Sequence, residues 1–192
     1  MVVNPSNPAE VYAGMEVGGM IRSPDSGDSW ESINNGLMGD EDKLDIHGVS
    51  MSPSEPNTPY MITRKGPWRG HQRGENWEFI DLSPFTPITH TRDFKLDPHD
   101  AYSFYAGVGA SVWGEDGALM RTRDMGKVWE RVDSGVHPNS TVRCVSLSPR
   151  QASMIYCCTR YGQVFGSHDG GDSWQEHPLP DGVTELRAVA VS

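Results

Sequence analysis

The stretches SPDSGDSW (23–30), TRDMGKVW (122–129) and SHDGGDSW (167–174) share one pattern: a hydroxyl residue, an aspartate two places on, a glycine two beyond it and a tryptophan three later. A fourth stretch, GHQRGENW (70–77), keeps the glycine and tryptophan but has Gly70 and Gln72 in place of the hydroxyl residue and the aspartate. The tryptophans Trp30, Trp77, Trp129 and Trp174 are thus spaced by 47, 52 and 45 residues. A second marker runs in phase with the first. Pro5, Pro53, Pro98 and Pro149 are each followed seven residues later by a tyrosine, Tyr12, Tyr60, Tyr105 and Tyr156. Two independent markers at one period define an internal repeat.

Outward from these turns the pattern is strand-like. IHGVSMSP (46–53), VRCVSLSP (142–149) and LRAVAVS (186–192) alternate or are nearly apolar, and the first two end at a serine–proline turn. Each repeat then continues with a tyrosine-bearing strand such as EVYAG (10–14), SFYAG (103–107) or MIYCC (154–158). A third strand such as GGMIRS (18–23) leads into the aspartate–glycine turn, and a fourth starts at the tryptophan. Such a four-stranded antiparallel meander has one small face to bury and must pack on its neighbours, as the blades of a propeller do. The predicted fold is therefore all-β, a β-propeller domain over 1–192. Its repeat units are expected at about 1–43, 44–88, 89–139 and 140–183, followed by a terminal strand at 184–192. The 21 glycines and 14 prolines agree with many short strands and turns.

The turn pattern resembles the Asp-box, or BNR, repeat S/T-x-D-x-G-x-x-W of the sialidase-like, sortilin-like and photosystem-assembly-factor-like propellers. The resemblance implies that the boxes lie on the outer edge, away from a central ligand site. Rings of the resembling families usually have more blades than four, so an incomplete ring, as a fragment or as a half completed by a second copy in a homodimer, is expected in preference to a compact ring of these four units. Asp25, Asp124 and Asp169 then read as clamps that accept backbone N–H bonds, Gly27, Gly126 and Gly171 as positive-φ positions, and Trp30, Trp129 and Trp174 as packing between sheets.

With 36% hydrophobic and 22% charged residues the chain reads as a folded body, and its net charge of −10 opposes a polyanionic partner such as nucleic acid. No stretch approaches about eighteen consecutive apolar residues, so no membrane partner is expected. The N-terminus carries no leader-like apolar run, which leans the expectation toward the cytoplasm. Cys144, Cys157 and Cys158 lack metal or framework spacing and read as small apolar strand residues. No HExxH, GxSxG, GxxxxGK[ST] or GxGxxG occurs, and the adjacent Glu115 and Asp116 are too few for a calcium site, so neither cofactor nor metal is expected.

Antiparallel alternation puts the start of each first strand and the end of each second strand on the rim away from the boxes. The repeat places His47, Arg92, Arg143 and Arg187 at the first position, and Glu16, Arg64, Gly109 and Arg160 at the second. Five of the chain's 12 arginines fall in these eight places, where chance would put about half of one. Guanidinium groups converging there suit a carboxylate, sulfate or phosphate. The expected ligand-binding set is His47, Arg64, Arg92, Arg143, Arg160 and Arg187, with Glu16 as counter-ion or, in an enzyme, as the candidate acid/base. Trp68 and Trp113 fall in loops on the same rim and read as flat platforms for a sugar or partner, or as edge packing. Arg22, Arg69 and Arg121, eight before Trp30, Trp77 and Trp129, read as a solvated sheet face.

Two functions follow. The first is a non-catalytic binding or assembly scaffold whose cationic rim takes an anionic small molecule, a glycan or an acidic peptide. The second is a sialidase-like glycoside hydrolase, which the resemblance suggests, with the arginines holding a sugar carboxylate. That family's F/Y-R-I-P motif is absent, and no tyrosine–glutamate nucleophile can be assigned from sequence, so the scaffold is preferred.

Overall fold

The computed structural model describes residues 1–192. Sixteen strands form four sheets, each four-stranded, antiparallel and in chain order. The first holds β1 (Val2–Asn4), β2 (Asn7–Met15), β3 (Gly19–Ser23) and β4 (Glu31–Ser32), and the second β5 (Ile46–Met51), β6 (Pro59–Thr63), β7 (Gly66–His71) and β8 (Asn76–Phe79). The third holds β9 (His90–Leu96), β10 (Phe104–Gly109), β11 (Gly117–Thr122) and β12 (Glu130–Arg131). The fourth holds β13 (Val142–Leu147), β14 (Ile155–Thr159), β15 (Val164–Ser167) and β16 (Gln175–His177). One short helix, α1 (Glu41–Leu44), capped by the Asp40 side chain, precedes β5. The chain divides into two compact units, Met1–Asp81 with the first two sheets and Leu82–Ser192 with the last two.

Within each unit the core lies between the blades. Tyr12, Met20 and Ile33 of one sheet meet Ile46, Met61 and Trp68 of the next, and in the second unit Tyr105, Leu119 and Val132 meet Val142, Val145, Ile155, Cys157 and Phe165. A glycine permits the approach. A Cβ on Gly107 would stand 2.5 Å from the Val142 carbonyl oxygen, and one on Gly14, at the same place in the repeat, 2.3 Å from Ile46 Cγ2.

The turns between the third and fourth strands explain their own sequence. Asp25 accepts from Ser29 N at 2.8 Å, Asp124 from Val128 N at 2.9 Å and Asp169 from Ser173 N at 2.9 Å. The hydroxyls of Ser23, Thr122 and Ser167 accept from Gly27, Gly126 and Gly171 N at 2.8–2.9 Å. Those glycines have φ of 100°, 93° and 95°, where an L side chain is strained. These bonds stabilise each carboxylate's charged form. Hydrogen bonds from Ser29, Val128 and Ser173 depress the three acids, with Asp169 brought down to about 2.

The degenerate turn keeps its shape by a different bond. Arg73 N donates to Asn57 O at 2.8 Å, the counterpart of Ser26 N to Ala9 O, Met125 N to Tyr102 O and Gly170 N to Ser153 O. Each bond ties the turn to the residue three before the blade's repeat tyrosine, which lies in the connection between the first two strands in three blades and near the start of β2 in the first. Two tryptophans also join blades: Trp77 Nε1 donates to Ile33 O at 2.7 Å, and Trp174 Nε1 to Val132 O. Trp129 is buried, but Trp30 is 40% exposed and does not pack between sheets of its unit.

Residues 184–192, expected as a strand, form no ladder. The segment is extended beside β13 and held by Leu186 N to Arg160 O (3.1 Å) and Val191 N to Ser146 Oγ (3.0 Å). Alternation of LRAVAVS marks a strand, but no segment of its unit supplies the continuous row of backbone partners a strand requires.

Candidate anion-binding site

In the second unit the repeat delivers Arg143 at the start of β13 and Arg160 just after β14, on the two sides of one hairpin end. A bulge between Val142 and Cys144 shifts the register at Arg143. Arg187 comes from the extended segment. All three guanidinium groups face a single carboxylate oxygen, Glu185 Oε1, at 3.5 Å from Arg143, 3.3 Å from Arg160 and 3.9 Å from Arg187. Arg92 on β9 lies close enough for its charge to be felt. Burial, then the charges of Arg160 and Arg92, lower the Arg143 pKa, and Glu185 only partly opposes them.

One carboxylate does not satisfy this cluster. Arg143 Nη1 and Arg160 Nε are buried without a hydrogen-bond partner, and the ion-pair distances to Glu185 exceed those of a charge-assisted hydrogen bond, about 2.7–2.9 Å. Buried polar groups in this state carry a desolvation cost that a better-placed anion would remove.

The long loop between β10 and β11 adds a wall. Trp113 stands over Arg160, whose guanidinium carbon is 3.5 Å from the ring centroid, yet the indole stays 63% exposed. The loop is fixed by Thr141 Oγ1 donating to Ser111 O (2.5 Å) and Tyr161 OH to Trp113 O (3.2 Å). The cation–π stack turns Arg160 into a fixed donor and leaves an aromatic surface beside it. A cavity of about 270 Å³ in the same unit, lined by Asp97, Asp100, Arg121, Arg123 and Asp169, is different in kind, because Arg121 is already paired with Glu130 and Asp100 with Ser103.

The other sequence-selected residues separate from this group by their partners. In the first unit His47 and Arg64 both turn to Asp45, at 3.4 and 3.2 Å, and Arg64 also to Asp42 at 3.1 Å, so carboxylates around α1 already partner them. Glu16 is exposed beyond β2, and the arginine-bound carboxylates of this unit are Glu10, Glu31, Asp42, Asp45 and Glu55. Trp68 is no loop platform: it sits in β7, 7% exposed, against Phe79 with ring centroids 4.9 Å apart. A tight β6–β7 turn makes its loop shorter than the glycine and proline suggest.

Arg22, Arg69 and Arg121 are not on a solvated face either. Arg22 pairs with Glu31 (2.9 Å), Arg69 with Glu55 (2.6 Å) and Arg121 with Glu130 (2.8 Å). Glutamates one residue after Trp30 and Trp129 supply two of these, a cross-strand signal present in the sequence. Tyrosine–glutamate pairs exist too, Tyr12 OH to Glu10 at 2.6 Å and Tyr60 OH to Glu55 at 2.5 Å. Both tyrosines are wholly buried and their hydroxyl pKa values are pushed up by that burial, so neither is placed to attack a substrate.

No protein-family model matches the chain. Xyloglucanase Xgh74A of Acetivibrio thermocellus matches over the whole chain at 24% identity, and the same enzyme from a second strain at 21%. The chain spans 27% of the length of each of these curated relatives. Among solved structures, the GH74 enzyme of Niastella koreensis is similar with a TM-score of 0.74 at 19% identity, over 91% of this chain and 28% of that one. YCF48 bound to D1 peptide is similar with a TM-score of 0.61 at 19% identity, over 90% and 51% of the two chains. The chain therefore has the β-propeller fold of these proteins, with four of its blades.

Proposed function

We propose that the chain is a non-catalytic binding or assembly scaffold that takes an anionic group, on a small molecule, a glycan or an acidic peptide, at Arg92, Arg143, Arg160 and Arg187. The observation that carries this reading is the convergence of Arg143, Arg160 and Arg187 on the lone Glu185 oxygen with two buried guanidinium nitrogens left unbonded. A bidentate carboxylate or sulfate entering beside Trp113 would supply acceptors that Glu185 lacks. Glu185 itself acts as an internal stand-in, holding the cluster until a better anion displaces it.

Both kinds of relative lend support at the level of fold alone: one is named as an enzyme, and another was solved with a peptide. The sialidase-like alternative gains no nucleophile from the structure, because Tyr12 and Tyr60, which meet glutamates, are buried. A thermal-shift series with citrate, glucuronate and a glutamate-rich peptide, each against a neutral counterpart, tests the proposal. Stabilisation by the anions alone, lost in Arg143→Ala, is expected. Turnover of a fluorogenic sialoside that vanishes in Arg143→Ala would replace the scaffold reading with the enzyme.

A further inference from the structure

We propose that Cys144 and Cys158 form a redox site, a reversible disulfide that closes across β13 and β14 by exchange with a small disulfide such as glutathione disulfide. The proposal is independent of what the arginines bind. Cys144 and Cys158 are direct partners in the antiparallel register. Opposed residues in such a ladder have Cα atoms about 4.5–5.5 Å apart, inside the span of about 4.4–6.8 Å that a disulfide bridges. Directly opposed residues of a ladder point to the same face of the sheet, so the two thiols stand side by side. Cys157, the next residue on β14, belongs to the core between blades and is 2% exposed.

The two partners differ in the way a two-step exchange requires. Cys144 is half-buried and Cys158 fully buried. The interaction between the two neighbouring thiols lowers the pKa of Cys144 and raises that of Cys158, which makes the more accessible Cys144 the attacking group. The C-terminal segment lies beside Cys144, with the Val189 carbonyl oxygen 3.5 Å from Sγ, and forms no ladder with β13; the Asp93 and Lys95 side chains of β9 are also near enough to act on the thiol.

In the first step the Cys144 thiolate attacks one sulfur of glutathione disulfide. The Cys144–glutathione bond forms, the reagent's S–S bond breaks, and the departing glutathione thiolate takes up the proton Cys144 has lost. In the second, Cys158 gives its proton to solvent and attacks the Cys144 sulfur, and the second glutathione leaves and is protonated. Two protein thiols are oxidised by two electrons, and one reagent disulfide is reduced to two thiols.

The test is mass mapping of the folded 192-residue chain equilibrated in glutathione buffers, quenched by alkylation and cut with trypsin. Cleavage after Arg143, Arg150 and Arg160 puts Cys144 in one peptide and Cys157 with Cys158 in another. The expected product is the two peptides joined, lighter than their sum by two hydrogens and separated again by dithiothreitol. Cys157→Ser is expected to cross-link as the parent does, and Cys158→Ser to stop at a glutathione adduct on Cys144. Alkylation of both cysteines even in pure glutathione disulfide, a lasting adduct in the parent chain, or a cross-link that survives Cys158→Ser would each overturn the proposal.

Discussion

Glu185 sets how available the arginine cluster is. Replacing it by glutamine removes the competing charge but keeps the shape, so Glu185→Gln is expected to bind citrate several-fold more tightly, as measured by calorimetry. Arg187→Ala removes a donor that is largely exposed and therefore leaves the fold intact; loss of one hydrogen bond to a charged group, about 1.5–3 kcal/mol, predicts affinity weakened roughly tenfold or more. The four arginines were legible because the repeat counts them into equivalent places. Glu185 as their partner was not, because it comes from a segment that breaks the expected strand; Trp113 could be placed on the same rim by its loop, but its stack on Arg160 depends on loop conformation, about which periodicity carries no information. Arg64 was selected by the same count, but the carboxylates that claim it stand around a helix absent from the other repeats.

At the scale of the element, turn chemistry and blade packing make separable predictions. Gly126 has φ of 93°, a conformation in which a Cβ strains the backbone; Gly126→Ala is expected to cost about 1–3 kcal/mol in urea unfolding. Gly107 is constrained by contact instead, since its Cβ would meet the Val142 carbonyl at 2.5 Å. Gly107→Ala should destabilise by about 1–3 kcal/mol through forced separation of the third and fourth sheets. The strands and the Ser/Thr–Asp–Gly–Trp turns could be read directly, because period-two alternation and positive-φ glycines are local facts. Strand formation over 184–192 could not, since it depends on a partner row that alternation does not reveal. The turn at 70–77 lacks the hydroxyl residue and the aspartate, yet the backbone bond from Arg73 to Asn57 ties it down as in the other blades, and a backbone bond leaves no residue signature.

For the whole molecule, the turn aspartates give stability a predictable pH dependence. Asp25, Asp124 and Asp169 have folded pKa values below the ordinary aspartate value, so the stability they contribute is complete above about pH 4 and is lost as pH falls through the folded values, reaching about 2 for Asp169. The melting temperature should therefore decline between pH 4 and 2, and Asp169→Asn should make that decline shallower. The net charge of −10 repels anions at long range, so binding at the arginines must come from short-range, charge-assisted contacts. The decisive measurement is a calorimetric titration of the parent chain and Arg143→Ala with citrate at fixed ionic strength. A single saturable site in the parent, weakened at least tenfold by the substitution while the melting temperature of the free protein stays near that of the parent, is the predicted result. Equal affinity in the two chains, or no saturable heat in the parent, would contradict it.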